Sequence, residues 1–110
     1  MATYNTINVR RLIPCPTCGD SGKIRLQFAF GDTWQYGYAV GDSIRWGGND
    51  YGKPADDIDV IAYPDRCMVC GLDTPGHYVL RVIDGVISAY RMANVEEVAS
   101  LEADNQRGSG

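Results

Sequence analysis

The sequence predicts a mainly β domain, an antiparallel sheet followed by one short C-terminal helix. Residues 23–30 alternate between apolar and mainly polar side chains, which is the period of a strand with one buried face. Asp84-Gly85 stands between two β-rich runs, and this pair predicts a two-residue hairpin because both turn positions need positive φ. Near the end of the chain, an apolar stripe with helical spacing follows a capping residue and predicts the helix.

Short strands and turns fill the rest of the chain. Glycine-aspartate pairs at 31–32 and 41–42 separate short aromatic runs, so we expect a β-meander inserted into the sheet. Residues 47–57 contain three glycines, a proline and no periodicity, which predicts an exposed loop. Besides residues 23–30, strands are predicted over residues 6–13, 36–40, 43–46, 58–63, 78–83 and 86–91.

The predicted helix follows Asn94, whose side chain can cap the first turn while Glu97 completes a capping box. Val95, Val98 and Leu101 recur at a spacing that places them on one helical face. We expect this face to pack on the sheet.

Length and composition indicate one domain over residues 1–104, followed by a disordered tail at residues 105–110. The chain has 110 residues, of which 45% are hydrophobic and 22% charged, a common size and balance for a single domain. It contains no apolar run of roughly 18 residues, and its N-terminus has neither the basic start nor the apolar core of a secretion signal. We therefore expect a cytoplasmic protein with no membrane association.

Four cysteines occur as two pairs, Cys15 with Cys18 and Cys67 with Cys70, each pair followed directly by glycine. Two intervening residues allow a tight turn that brings both sulfurs to adjacent corners of a tetrahedron, and the glycine can take positive φ. In a reducing compartment such pairs indicate metal ligands before disulfides, with two disulfides or four free thiols as the alternatives. The pattern predicts one structural zinc ion, although four sulfur ligands also suit iron.

The chain resembles the zinc-ribbon group, whose members bring two such cysteine knuckles, each in a hairpin turn, to one metal. The matching residues are Cys15-Pro16-Thr17-Cys18-Gly19 and Cys67-Met68-Val69-Cys70-Gly71. The spacing departs from that group, because 48 residues separate the two pairs, where a compact ribbon has roughly 15–20. The inserted β-meander accounts for the excess. The layout is also similar to small bacterial zinc-ribbon proteins, some of which accompany toxin systems, and the resemblance implies a zinc-ribbon-like sheet.

The sequence carries no motif that predicts catalysis. Residues 47–53 fit the phosphate-loop pattern G-x-x-x-x-G-K, but Pro54 stands where serine or threonine is needed and no helix follows. His77 is the single histidine, and neither a G-x-S-x-G turn nor an H-E-x-x-H segment is present. We therefore expect a non-enzymatic protein without a small-molecule substrate.

The leading hypothesis is a protein–protein interaction module, either an adaptor or an immunity-type partner of another protein. The formal net charge is −4, and four thiolates at −4 with zinc at +2 would make it −6, which disfavours binding to nucleic acid. Trp34, Trp46 and Tyr51 lie near turns and a glycine-rich loop. These three aromatic residues are the interface candidates.

Two other functions are open. Residues 1–30 hold Arg10, Arg11, Lys23 and Arg25 against one acid, so the segment around the first cysteine pair could bind nucleic acid, with an aromatic side chain stacking on a base. Residues 31–110 hold 13 acids against six bases, which opposes that alternative. The other is a rubredoxin-like electron carrier with iron in the cysteine site, and the long insertion counts against it.

Overall fold

The computed structural model describes residues 4–48, 50–54 and 56–107, the last six of these as backbone. Within these residues the chain forms eight strands and one helix. The elements are β1 Asn5–Arg10, β2 Lys23–Phe28, β3 Gly31–Asp32, β4 Gly37–Tyr38, β5 Asp50–Tyr51, β6 Asp57–Pro64, β7 Tyr78–Ile83, β8 Val86–Met92 and α1 Val95–Arg107. The predicted mainly β class with a short C-terminal helix is confirmed.

Six strands form one sheet in the order β4-β1-β2-β6-β7-β8, and β3 pairs with β5 in a separate two-stranded sheet. The large sheet is antiparallel except for β4, which pairs with β1 in parallel. Two hairpins, β1–β2 and β6–β7, make up its centre. They lie side by side because β2 pairs with β6.

The hydrophobic core covers one face of the large sheet, as the alternation of apolar residues predicts. In β2, for example, Ile24, Leu26 and Phe28 are buried while the residues between them are partly or fully exposed. The core is formed by Ile7, Val9, Ile24, Leu26, Phe28, Phe30, Tyr38, Ile44, Val60, Ala62, Tyr78, Leu80, Val82 and Ile87.

The sheet curls until its two edges meet around this core. The segment after β4 bonds to the opposite edge, where the Ile87 N–H donates to the Asp42 carbonyl at 3.0 Å and the Gly41 N–H donates to the Ile87 carbonyl at 2.7 Å. Farther along the same edge, the Tyr90 hydroxyl donates to the carbonyl oxygen of Arg10 in β1 at 3.0 Å. Residues 41–44 therefore link β4 at one edge to β8 at the other.

Helix α1 packs against β6. Asn94 and Glu97 form the predicted capping box, in which each backbone N–H donates to the other residue's side-chain oxygen at 2.8 Å. Val98 and Leu101 are half-buried, whereas Val95 is 91% exposed and so does not join the packed face as predicted. Within the described chain, no helix is long and apolar enough to cross a membrane.

Three expectations about chain boundaries and pairing are corrected. The inserted segment is not a meander, because β3 pairs with β5 and β4 pairs with β1. The strand predicted at residues 43–46 is reduced to a single bridge at Ser43, and the loop predicted at residues 47–57 contains β5. The helix continues to Arg107 and so overlaps the first residues of the expected tail, while residues 108–110 lie outside the described residues. The disordered tail therefore stays a prediction.

Candidate metal centre

The two cysteine pairs lie in the loops of neighbouring hairpins. Cys15 and Cys18 follow β1 and precede β2, and Cys67 and Cys70 follow β6 and precede β7. Because β2 pairs antiparallel with the end of β6, both loops emerge from the same end of the sheet. This pairing brings together two cysteine pairs that are separated by 48 residues in sequence.

Each pair forms a knuckle with the same backbone bonds. In the first knuckle, the Cys15 N–H donates to the Asp20 carbonyl at 2.9 Å, and the Gly19 N–H donates to the Cys15 carbonyl at 2.8 Å. The second knuckle repeats this pattern around Cys67 and Gly71 with bonds of 2.9 Å. Both glycines take positive φ, +77° and +74°, a conformation that favours glycine at the fifth knuckle position.

The four sulfur atoms form one compact cluster. Cys15 Sγ lies 3.7 Å from Cys70 Sγ, Cys18 Sγ lies 3.6 Å from Cys67 Sγ, and all four atoms are within 4.8 Å of one another. A tetrahedron with metal–sulfur bonds of about 2.3 Å has sulfur–sulfur edges of about 3.8 Å. All four cysteines are free thiols in this arrangement, and their positions fit the ligand set of one metal ion.

Backbone N–H groups prepare the first cysteine of each knuckle for metal binding. They lower the pKa of Cys67 to about 6, led by the N–H of Cys70, and lower the pKa of Cys15, led by the N–H of Cys18. The N–H of Asp20 acts on Cys18 in the same direction, but burial and the neighbouring sulfurs together outweigh it and raise the pKa of Cys18 to about 12. In each knuckle the first thiol is therefore easier to ionise than an ordinary cysteine, and a bound cation would favour ionisation of the full set.

A buried arginine ties the two knuckle loops together. Arg11 Nε lies 3.7 Å from Asp20 Oδ2 beside the first knuckle, and Arg11 Nη2 donates to Thr74 Oγ1 beyond the second knuckle at 3.4 Å. The Thr74 hydroxyl in turn donates to the Asp65 carbonyl at 2.7 Å. Arg11 is thus a structural residue, although the nucleic-acid alternative counts it as a surface contact.

The other basic residues of that alternative are divided between two roles. Arg25 forms an ion pair with Asp65 at 2.5 Å, and this contact raises the pKa of Arg25. Arg10 and Lys23 are exposed and face each other across β1 and β2. Two of the four basic side chains are therefore engaged in contacts within the chain.

The three aromatic interface candidates occupy different environments. Trp34 is 62% exposed. Trp46 is half-buried and packs edge-on against Phe30, with ring centroids 5.3 Å apart. Tyr51 is half-buried in β5, opposite Gly31. Trp34 is the one of the three that presents most of its side chain to solvent.

Exposed apolar side chains flank the metal centre, and the sequence reasoning did not identify them as a surface. Met68 and Val69, the two residues between the second pair of cysteines, are 66% and 67% exposed. Three further large apolar residues beside the knuckles, Leu12, Ile13 and Leu72, are also exposed. The sequence did contain a signal for this surface, because two apolar residues stand between the cysteines of the second knuckle. Side chains at these positions of the turn point away from the sulfur cluster. We call these five residues the knuckle surface.

The cysteine cluster supports a metal centre but does not distinguish the metal, because four-sulfur tetrahedral sites hold zinc or iron. With four protein sulfurs bound, such a site has no open coordination position for water or substrate. The chain matches no known protein family, no curated protein and no solved structure.

Proposed function

We propose that this chain is a non-enzymatic, zinc-stabilised module that binds another protein. The observation that carries the proposal is the knuckle surface: large apolar side chains exposed on two loops that a metal would hold rigid. Exposed apolar patches of this kind mark interaction sites. A rigid loop also loses less conformational entropy on binding than a flexible one.

Zinc is the metal that we assign to the centre. Its preferred structural environment is four ligands in a tetrahedron, and four sulfur atoms within 4.8 Å of one another, two pairs of them at 3.6 and 3.7 Å, suit that arrangement. The two knuckle-bearing hairpins, packed side by side, are also the arrangement expected of a zinc ribbon. In this role the metal joins the hairpins and takes no part in chemistry.

A protein partner suits the charges of the molecule better than a nucleic acid. The net charge of −4 would become −6 with zinc bound, since four thiolates contribute −4 and zinc contributes +2. Long-range repulsion would then oppose approach to a polyanion. Arg11 and Arg25 already contact acidic side chains, which leaves Arg10 and Lys23 as the bases of the first hairpin that form no ion pair among the described residues.

The test compares the knuckle surface with other exposed apolar residues. The zinc-loaded protein, a Met68→Ser/Val69→Ser variant and a Val95→Ser variant would each be used to capture partners from a native lysate. Val95 is the matched control because it is 91% exposed but lies on the helix. We expect one protein to be retained by wild type and by Val95→Ser and lost with the knuckle variant.

A Trp34→Ala variant separates the knuckle surface from the exposed aromatic candidate. Loss of the same protein with this variant alone would move the interface to Trp34 and refute the assignment to the knuckles. Capture of DNA or RNA that weakens steeply with salt, with a slope reduced by about one unit in Arg10→Ala or Lys23→Ala, would instead favour the nucleic-acid alternative.

A further inference from the structure

A second surface feature, an open cavity lined by none of the four cysteines, has walls that suit a cation. It has a volume of about 430 Å³ and shares no residue with the knuckle surface. Phe30, Ile44 and Val82 belong to its lining and to the hydrophobic core, and Trp46 joins them. A lining of this kind binds the alkyl or flat part of a ligand.

Two carboxylates lie in the same lining, from Asp56 before β6 and Asp84 in the β7–β8 turn. The Asp84 N–H donates to the Asp56 carbonyl at 2.7 Å, so a backbone bond holds the two acidic residues side by side. Asp84 itself has a φ of +51°, fixed by the hairpin turn. The backbones of the two acidic residues are therefore held next to each other by the fold.

Neighbouring cations do not neutralise these two carboxylates in the part of the chain that the structure describes. Arg81 is paired with Asp57 at 2.5 Å. Arg45 lies over the ring of Tyr36, with its guanidinium carbon 4.7 Å from the ring centroid. Lys53, close to Asp56 in sequence, forms no ion pair with either carboxylate among the described residues.

The cavity walls are held by contacts that do not need a ligand. The Ile44 N–H donates to the Gly85 carbonyl at 2.7 Å, which fixes one wall to the hairpin turn. The ring of Trp46 packs edge-on against Phe30 at 5.3 Å. A site that exists before binding avoids most of the cost of ordering side chains on association.

We propose that this cavity binds a lysine or arginine side chain of a protein partner. The alkyl stem would lie against the apolar lining, and the charged end would meet Asp56, Asp84 and the ring of Trp46. The excess of acids in residues 31–110, 13 against six bases, supports a basic segment as the occupant. This inference rests on the proposed function in one respect, that the bound side chain belongs to a protein partner.

The test uses short peptides that differ in one charge. A Gly-Arg-Gly peptide and its citrulline counterpart, with blocked ends, have nearly the same shape, but the citrulline peptide has no charge. Each would be titrated into the zinc-loaded full chain while the indole N–H signal of Trp46 is followed by nuclear magnetic resonance. We expect saturable shifts with the arginine peptide and an affinity at least tenfold lower with citrulline.

Variants then locate the binding. Asp56→Asn combined with Asp84→Asn keeps the side-chain shapes, and asparagine tolerates the positive φ at position 84. The control, Asp73→Asn combined with Glu96→Gln, removes two charges at exposed positions that do not line the cavity. The double variant should lose at least tenfold in affinity for the arginine peptide, and the control should bind as wild type does.

The outcomes separate this inference from the proposed function. Equal binding of both peptides, or unchanged affinity in the double variant with its fold intact by its amide spectrum, would overturn the cation site. That result would leave capture through the knuckle surface unaffected. Selective binding of the arginine peptide would support the cation site even if the lysate experiment captured no partner.

Discussion

Loss of one metal ligand should remove much of the stability of this fold. In Cys67→Ser the link between the two central hairpins is broken, which frees the 48 residues between Cys18 and Cys67. If the metal acts as a cross-link, closing a loop of that length contributes about 4 kcal/mol. A chain of 110 residues should then melt about 15–20 °C lower, from the usual entropy of unfolding per residue.

The measurement is a thermal melt of the zinc-loaded protein and of the variant, with elemental analysis of both. Cys15→Ser, in the other hairpin, should have a similar effect because it breaks the same link. The Cys15→Ser/Cys67→Ser double variant should melt close to either single variant, since the link can be lost only once. A variant that has lost its metal yet melts at the wild-type temperature would refute this reasoning, as would fully additive effects.

Three further predictions concern the helix cap, a turn and the core. The Arg91 side chain holds the pKa of Glu97 at about 2, below its ordinary 4.5. Ionised Glu97 therefore stabilises the fold fully above pH 4.5, and this contribution is lost as the pH falls towards 2. The difference in melting temperature between wild type and Glu97→Gln should shrink over the same pH range. In urea unfolding, Gly31→Ala should lower the free energy of unfolding more than Gly41→Ala does. Both glycines have positive φ, but a Cβ added at Gly31 would lie 2.7 Å from a backbone carbonyl oxygen, whereas the space at Gly41 is open. Leu26→Ala, at a fully buried position, should lower the free energy of unfolding by about 2–5 kcal/mol; an unchanged value in the same assay would contradict the core assignment.

The elements predicted correctly from the sequence are those whose signals are local. Strand β2 alternates over six residues, the Asp84-Gly85 turn has positive φ at both positions, and the helix cap needs residues only three apart. The knuckles are local for the same reason, since each is complete within five residues. Their meeting at one site is not local, because it depends on the pairing of β2 with β6.

Long-range pairing explains what the sequence could not predict. Strand β4 has two residues and pairs with β1, about 30 positions earlier, in a parallel arrangement that no local pattern encodes. A two-residue strand is too short to show an alternation, so the inserted segment was predicted as a meander of hairpins. The cavity beside Trp46 has the same origin, because its lining comes from four separate stretches of the chain.

The link that residues 41–44 make between β4 and β8 limits how a partner can bind. A peptide that extends a sheet needs an edge with a run of unpaired backbone N–H and C=O groups. Here one edge strand has two residues, and the start of the other is bonded to Gly41, Asp42 and Ile44. The closure therefore opposes strand addition along the bonded part of this edge, and it should protect that part from edge-to-edge aggregation.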